Sequence, residues 1–262
     1  MNNPSQTTET AIPKKQDIIE EILTDLAVYQ EPNLLLEKHK ERITSIEVDK
    51  SKLRRYWDLI SNVRYAWQKT LKYELYFTEF YSFSDKIEKI EALNHHIHAY
   101  LQDMTILKNK IEVLFGSLKN DVKRVATNKE KVVAFFEVGI QTTKDVFKGV
   151  SKYRDPHVHE GMRFLDGDLL KAENAQEFLK LLSNPIFDAM LNQQYKPKIV
   201  AKAAKEKEES FEMAKKRWIE MAQGNGEQTL GYLNTILMTV RPSLYQFLGI
   251  KPIKDILNLD KN

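Results

Sequence analysis

Arg154, Asp155, His157 and His159 stand together in the hexapeptide Arg154-Asp155-Pro156-His157-Val158-His159. The segment combines a fixed cation, a carboxylate and two side chains of a type that titrates near neutrality. Such a set has the parts needed to bind and cleave a phosphodiester: a guanidinium to neutralise phosphate charge and an imidazole to carry protons. Steps of three and four along the preceding helix, from Phe147 through Val150, lead to Arg154, where an apolar residue is expected. A charge in that place must be paired or must face a cavity that needs it, because a buried unpaired ion costs several kcal/mol.

The dipeptide Asp155-Pro156 reads as a helix joint. Proline disfavours helix at the residue before it, aspartate is a good N-cap, and proline is tolerated at the first helical position. With a new turn starting at Pro156, His157 and His159 would lie near a helix N-terminus, whose free N–H groups and dipole favour an anion. The alternative is structural: Arg154 caps the end of its helix and pairs with Asp155 or Glu160, and the histidines are merely exposed. A second histidine group, His95, His96 and His98, invites a metal reading. On a helical projection His96 borders the apolar stripe while His95 and His98 point away, so the three cannot converge on one ion, and no carboxylate completes a site. A polar contact of His96 with Tyr100 or Asp103 is the expected role.

The elements that must position these residues are helices. Only 9 Gly and 8 Pro interrupt 262 residues, and the sequence pattern contains no credible strand or internal repeat. Expected helices cover about 16–29, 34–46, 52–81, a ten-turn segment centred on the stripe from Leu93 to Leu118, and 127–152. Ser82 to Asp85 supply capping residues before the long stripe. Val132, Phe136, Ile140, Thr143, Phe147 and Val150 form the inner face of the 127–152 helix. Gly161 to Gly167 and Asn184-Pro185 break the pattern on either side of a helix over Ala172 to Leu182. A long charged helix through Trp218 ends at a Gly224-Asn225-Gly226 turn, and a last helix from Gln228 to Val240 stops at Pro242. Lys196 to Arg217 is rich in lysine, but glutamates interleave with it, which marks a solvated or partner-facing helix rather than an RNA track. Trp218 and the aromatics of 52–81 fall on the apolar period and read as core rather than base-stacking platforms.

Composition bounds the rest. With 40 Lys and Arg against 37 Asp and Glu the net charge is +3, so no strong global field draws in a polyanion and any nucleic-acid contact must be local. The chain has no cysteine, which removes disulfides and thiolate metal sites and suits a reducing compartment. Residues 1–15 read as a loose tail without the apolar core of a secretory signal, and no apolar run approaches a membrane span. A cytoplasmic location follows as the expectation. No Gly-rich phosphate loop, nucleophile elbow or paired-carboxylate motif is present.

Arg154-Asp155-Pro156-His157-Val158-His159 resembles the signature of the HEPN superfamily, which is Arg, a polar residue, three arbitrary residues and His, set between the last long helices of an α-helical bundle. The flanking Tyr153-Arg154-Asp155 and His159-Glu160-Gly161 are similar to its common Tyr-Arg-Asn and His-Glu-Gly. Asn94-His95-His96-Ile97-His98-Ala99-Tyr100-Leu101 resembles the His-rich start of an inner helix in several bacterial members. Asp155 stands where Asn is commoner, and Pro156 is unusual there.

The resemblance implies an all-α, HEPN-like antiparallel bundle over 16–192, with a C-terminal helical extension over 193–262 packing on it. It implies a metal-independent endoribonuclease without cofactor, acting as a homodimer whose two motifs face one another, in toxin–antitoxin or phage-defence biology, with RNA as substrate and an antitoxin such as a nucleotidyltransferase as partner. Arg154, Asp155 and His159 would be catalytic: His159 as general acid or base, Arg154 on the phosphate, Asp155 orienting both. His157, Tyr153, Glu160 and His96 would be accessory or substrate-binding. The alternative is a non-catalytic RNA- or protein-binding module in which the motif is structural.

Overall fold

The computed structural model describes residues 17–35, 37–79, 87–159 and 166–257, with side chains for all of these except 34, 38 and 154–159. The regular secondary structure of the described residues is helical, and no strand occurs among them. In chain order the helices are α1 (Ile18–Gln30), α2 (Glu37–Thr44) after a 3-10 turn at Pro32–Leu34, α3 (Lys50–Leu71), α4 (Tyr73–Thr78) and α5 (Lys89–Val125). They continue with α6 (Lys129–Val146), α7 (Lys148–His159), α8 (Gly167–Leu182), α9 (Pro185–Met190), α10 (Lys196–Leu248) and α11 (Ile253–Leu257). The tail at 1–15, the caps expected at Ser82 to Asp85 and most of the Gly161 to Gly167 break lie outside the described residues.

The chain divides into two compact units, one of residues 1–54 with 233–262 and the other of residues 55–232. This division differs from a boundary near residue 192, because the first part of α10 packs with the larger unit and its last part with α1. In the smaller unit, Ile19, Ile22 and Leu26 on α1 are buried, as are Leu237, Leu244 and Tyr245 on α10. Arg241 pairs with Glu21 at 2.8 Å and with Asp25 at 2.9 Å.

In the larger unit, α5 is the central element. Its stripe of Leu93, Ile97, Leu101, Leu107, Ile111 and Leu114 is buried, as the three-and-four spacing requires, and α4, α6, α7 and α8 all pack against it.

Several helix boundaries depart from the sequence pattern. The helix expected over 52–81 is interrupted at Lys72, whose N–H bonds to the Lys69 carbonyl at 3.2 Å in a tighter turn. The interruption shifts the apolar phase, so Tyr73 and Phe77 are buried while Leu71 and Leu75 are exposed. The 127–152 helix is likewise divided at the buried Phe147.

In α10 the difference runs the other way. Neither Gly224-Asn225-Gly226 nor Pro242 ends this helix, which continues for 53 residues to Leu248. Tertiary burial explains it: Trp218, Ala222, Leu233, Leu237 and Val240 are all buried on both sides of the glycines, and their apolar burial outweighs a propensity cost of about 1 kcal/mol per glycine. The true end is at Gly249, with φ 69°, where Ile250 N–H bonds to the Tyr245 carbonyl at 3.0 Å and Gly249 N–H to that of Gln246 at 3.3 Å. That pair of bonds is a Schellman cap, and only glycine takes its left-handed backbone without strain.

Candidate functional site

The hexapeptide lies on α7, which packs on α5 and runs unbroken from Lys148 to His159. The joint expected at Asp155-Pro156 is therefore absent, and Pro156 sits within the helix. His157 and His159 are at the C-terminal end of α7, so the anion-favouring helix N-terminus expected for them is not formed. Local pattern favoured a break at proline, but the helix spends one backbone hydrogen bond there and continues. The side chains of Arg154, Asp155, His157 and His159, and the whole of Glu160, lie outside the described residues.

Helical register still assigns faces to the backbone positions. At about 100° per residue, positions 154 and 157 fall within about 60° of each other, and 155 and 159 within about 40°. Positions 154 and 159 are about 140° apart on the one helix.

The inner face of α6 and α7 is the one the spacing indicates: Phe136, Thr143 and Phe147 are buried, and Val150 half-buried. Just before the motif, Tyr153 is 49% exposed, and its ring stands edge-on to Trp218 with centroids 6.5 Å apart. Trp218 is core, as expected. Its indole N–H donates to Asp166 at 3.0 Å, and Arg217 donates to the other oxygen of the same carboxylate at 3.1 Å. Asp166 also caps α8 by accepting from the N–H groups of Asp168 and Leu169. Trp218 thus contacts both Asp166 at the start of α8 and Tyr153 on α7.

Between α5, the α6–α7 corner and α10 lies a cleft of about 110 Å³. Phe147, Val150, Tyr153, Met104 and Met221 supply apolar surface. Asn225, Gln228 and Thr229 supply polar groups from one face of α10, at spacings of three and four. Asn225 donates its amide to the Tyr100 hydroxyl at 2.8 Å. Burial pushes that hydroxyl up to about 12, with the bond from Asn225 acting in the opposite sense. Asn225, Gln228 and Thr229 were not legible as site residues, because the two glycines beside Asn225 imitate a turn.

His96 is buried and stacks on Tyr76, with ring centroids 6.0 Å apart, while His95 is exposed beside it. Tyr100 and Asp103, the partners expected for His96, are engaged by Asn225 and by Lys69 and Tyr73 respectively. The structure places His96 on α5 and Tyr153 on α7. Among the described residues no group of three or more His, Asp or Glu is arranged to hold a metal ion. Along α10, Lys205–Glu209 and Lys216–Glu220 are exposed pairs one turn apart at 3.6 and 4.0 Å, as a mixed-charge solvated face requires.

Fold and site together define an all-α helical-bundle protein with a polar motif at the end of a helix packed on the central one. Among the described residues no helix is long and apolar enough to cross a membrane. No protein-family model, curated protein or solved structure matches the chain.

Proposed function

We propose that the protein is a metal-independent endoribonuclease of HEPN type, acting in the cytoplasm as a homodimer. The observation that carries the reading is the sequence Arg154-Asp155-x3-His159 at the end of a helix packed on the central helix of an all-α bundle. Arg154 neutralises the scissile phosphate, His159 moves a proton at the ribose 2′-hydroxyl or the leaving oxygen, and Asp155 orients them. Because positions 154 and 159 fall on different faces of α7, a phosphate touched by both residue types is most simply met by the arginine of one copy and the histidine of the other. A toxin–antitoxin or phage-defence setting, with an antitoxin such as a nucleotidyltransferase, is the biological form of this proposal.

The test is RNA cleavage in EDTA by the wild-type protein and by Arg154→Ala, His157→Ala and His159→Ala variants. Cleavage by wild type and its loss, by about 100-fold or more, in Arg154→Ala and His159→Ala is expected. Equal cleavage in all four removes the active-site assignment, and loss confined to Arg154→Ala and His157→Ala transfers the proton-carrying role to the histidine that shares a face with position 154.

A second reading, a non-catalytic RNA- or protein-binding module, is favoured by positions 155 and 159 lying one turn apart on the same face, the spacing of a surface polar pair. Under it, His159→Ala lowers thermal stability and no RNA cleavage exists to be lost.

A further inference from the structure

We propose that the outward face of α3, within the larger unit, is a docking surface for single-stranded RNA. The surface stands on its own rings and charges, and rests on the ribonuclease reading only for the choice of RNA over DNA. Spacing assigns the aromatics of 52–81 to the core, and Tyr56 and Trp67 are indeed buried, but Trp57 is 37% exposed and Tyr65 68%, the most exposed aromatic side chain among the described residues. At about 100° per residue, Trp57, Ser61, Arg64, Tyr65 and Gln68 share an arc of about 100°, opposite the buried Tyr56, Val63 and Trp67. The two rings stand about 12 Å apart along the helix axis, and the exposed Lys72 follows at its end.

A lone exposed ring means little, so the charge around these two decides. Positions 55–72 carry four cations, Arg55, Arg64, Lys69 and Lys72, against the one carboxylate of Asp58, a net +3 that equals the net charge of the full chain. Arg55 reaches Asp121 at 2.7 Å and Lys69 reaches Asp103 at 2.8 Å, but those carboxylates are buried while the two cations stay about half exposed. Asp121 also takes a second cation, Arg124, at 3.4 Å, and Lys110 of α5 adds its own charge by donating to Asn62 at 3.2 Å. The charge turned to solvent is therefore positive, unlike the lysines of α10, which glutamates one turn away oppose.

Rings and cations along one exposed line are what a single strand needs: π faces for unpaired bases and positive charge for the phosphates between them. A duplex keeps its base faces stacked and offers none to Trp57 or Tyr65. Ser61 and Gln68 stand between the rings where a helix that enters a lipid surface would carry aliphatic side chains.

The experiment measures binding of the full chain to a labelled 2′-O-methyl RNA dodecamer in EDTA, beside the same sequence as a duplex and beside phosphatidylcholine vesicles containing phosphatidylserine. The blocked 2′-oxygen prevents cleavage, so binding is read independently of catalysis. Tyr65→Ala is expected to weaken binding of the single strand about tenfold at an unchanged melting temperature. Tyr195→Ala, which removes an equally exposed ring before α10, should leave it unchanged. Lys72→Ala should lower the salt dependence by the amount of one phosphate contact, about 0.7 in the slope of log affinity against log salt. Affinity indifferent to Tyr65→Ala, a duplex bound as tightly as the single strand, or vesicles bound through Tyr65 in place of the strand overturns the proposal. The source is read from nucleic acid crosslinked to the protein by ultraviolet light in cells: digestion by ribonuclease is expected, and digestion by deoxyribonuclease alone overturns RNA as the occupant. Strand binding through Tyr65 without any RNA cleavage sinks the ribonuclease reading and keeps the surface, while cleavage with binding indifferent to Tyr65 does the reverse.

Discussion

Asp25, Asp103 and Asp121 are buried, and each is met by a tyrosine hydroxyl and a cationic side chain. Tyr245 and Arg241 meet Asp25, Tyr73 and Lys69 meet Asp103, and Tyr56 and Arg55 meet Asp121, at 2.5 to 2.9 Å. A carboxylate can be buried only when its lone pairs are filled and its charge is opposed, and these three are treated alike. Asp25 also accepts the Ile253 N–H at 3.0 Å, so it fastens α1, α10 and the start of α11 at one point. Asp25→Ala leaves Arg241 and Tyr245 in a buried site without their shared acceptor and is expected to destabilise the fold by about 3 kcal/mol. Glu21→Ala removes the more exposed partner of the same arginine and should cost less than about 1 kcal/mol. Urea unfolding of both variants checks the contrast, and similar small losses would show that Glu21 alone suffices for Arg241.

Helices in this protein contain glycines that do opposite things. A Cβ placed on Gly139 of α6 meets the Phe115 ring at 2.9 to 3.3 Å, and that ring is buried against Phe136. The close approach of α6 to α5 therefore depends on hydrogen at this position. Gly139→Ala should destabilise by about 1–3 kcal/mol in spite of alanine's better helix propensity. At Gly224 nothing lies within 4 Å of an added Cβ and the backbone is helical. Gly224→Ala should stabilise by about 0.5–1 kcal/mol. Denaturation midpoints of the two variants should thus move in opposite directions, and a loss of stability at Gly224 would mean that the chain needs a turn there after all. The same comparison explains why α10 was read as two helices: glycine's weak propensity is visible in a sequence, whereas the buried surface that overrides it is not.

At the scale of the whole molecule, buried tyrosines occur in both compact units. Burial is the largest cause raising the hydroxyls of Tyr56, Tyr73 and Tyr245, with the hydrogen-bonded aspartates adding to it, and the Tyr100 hydroxyl is pushed up to about 12. A group whose folded value is raised holds its proton more tightly in the native state. Its contribution is complete below the ordinary value of 10.0 and is lost as pH rises through the folded one. Stability should therefore be level up to about pH 10 and fall steeply toward pH 12. Tyr100→Phe should flatten part of that fall, as read from urea midpoints against pH and from tyrosinate absorbance. A midpoint indifferent to pH over this interval would contradict the burial of these hydroxyls.

The all-α class and the buried stripe of α5 were legible in the residues, because apolar spacing of three and four is a local property that a helix must satisfy wherever it packs. The inner face of α6, the core position of Trp218 and the burial of His96 followed from the same periodicity. The hexapeptide too was fixed as a chemical set by residue type alone. What needed the tertiary structure was continuity and convergence. Whether Pro156, Gly224 and Pro242 end a helix depends on how much apolar surface the continuing helix buries, which is a sum over neighbours distant in sequence. The meeting of Asn225 and Thr229 with Tyr153 beside the motif depends on α10 passing α7 without the turn its glycines suggest. Sequence determined which residue types stand together in the hexapeptide, and packing decided on which end of which helix they stand and what cleft lies next to them.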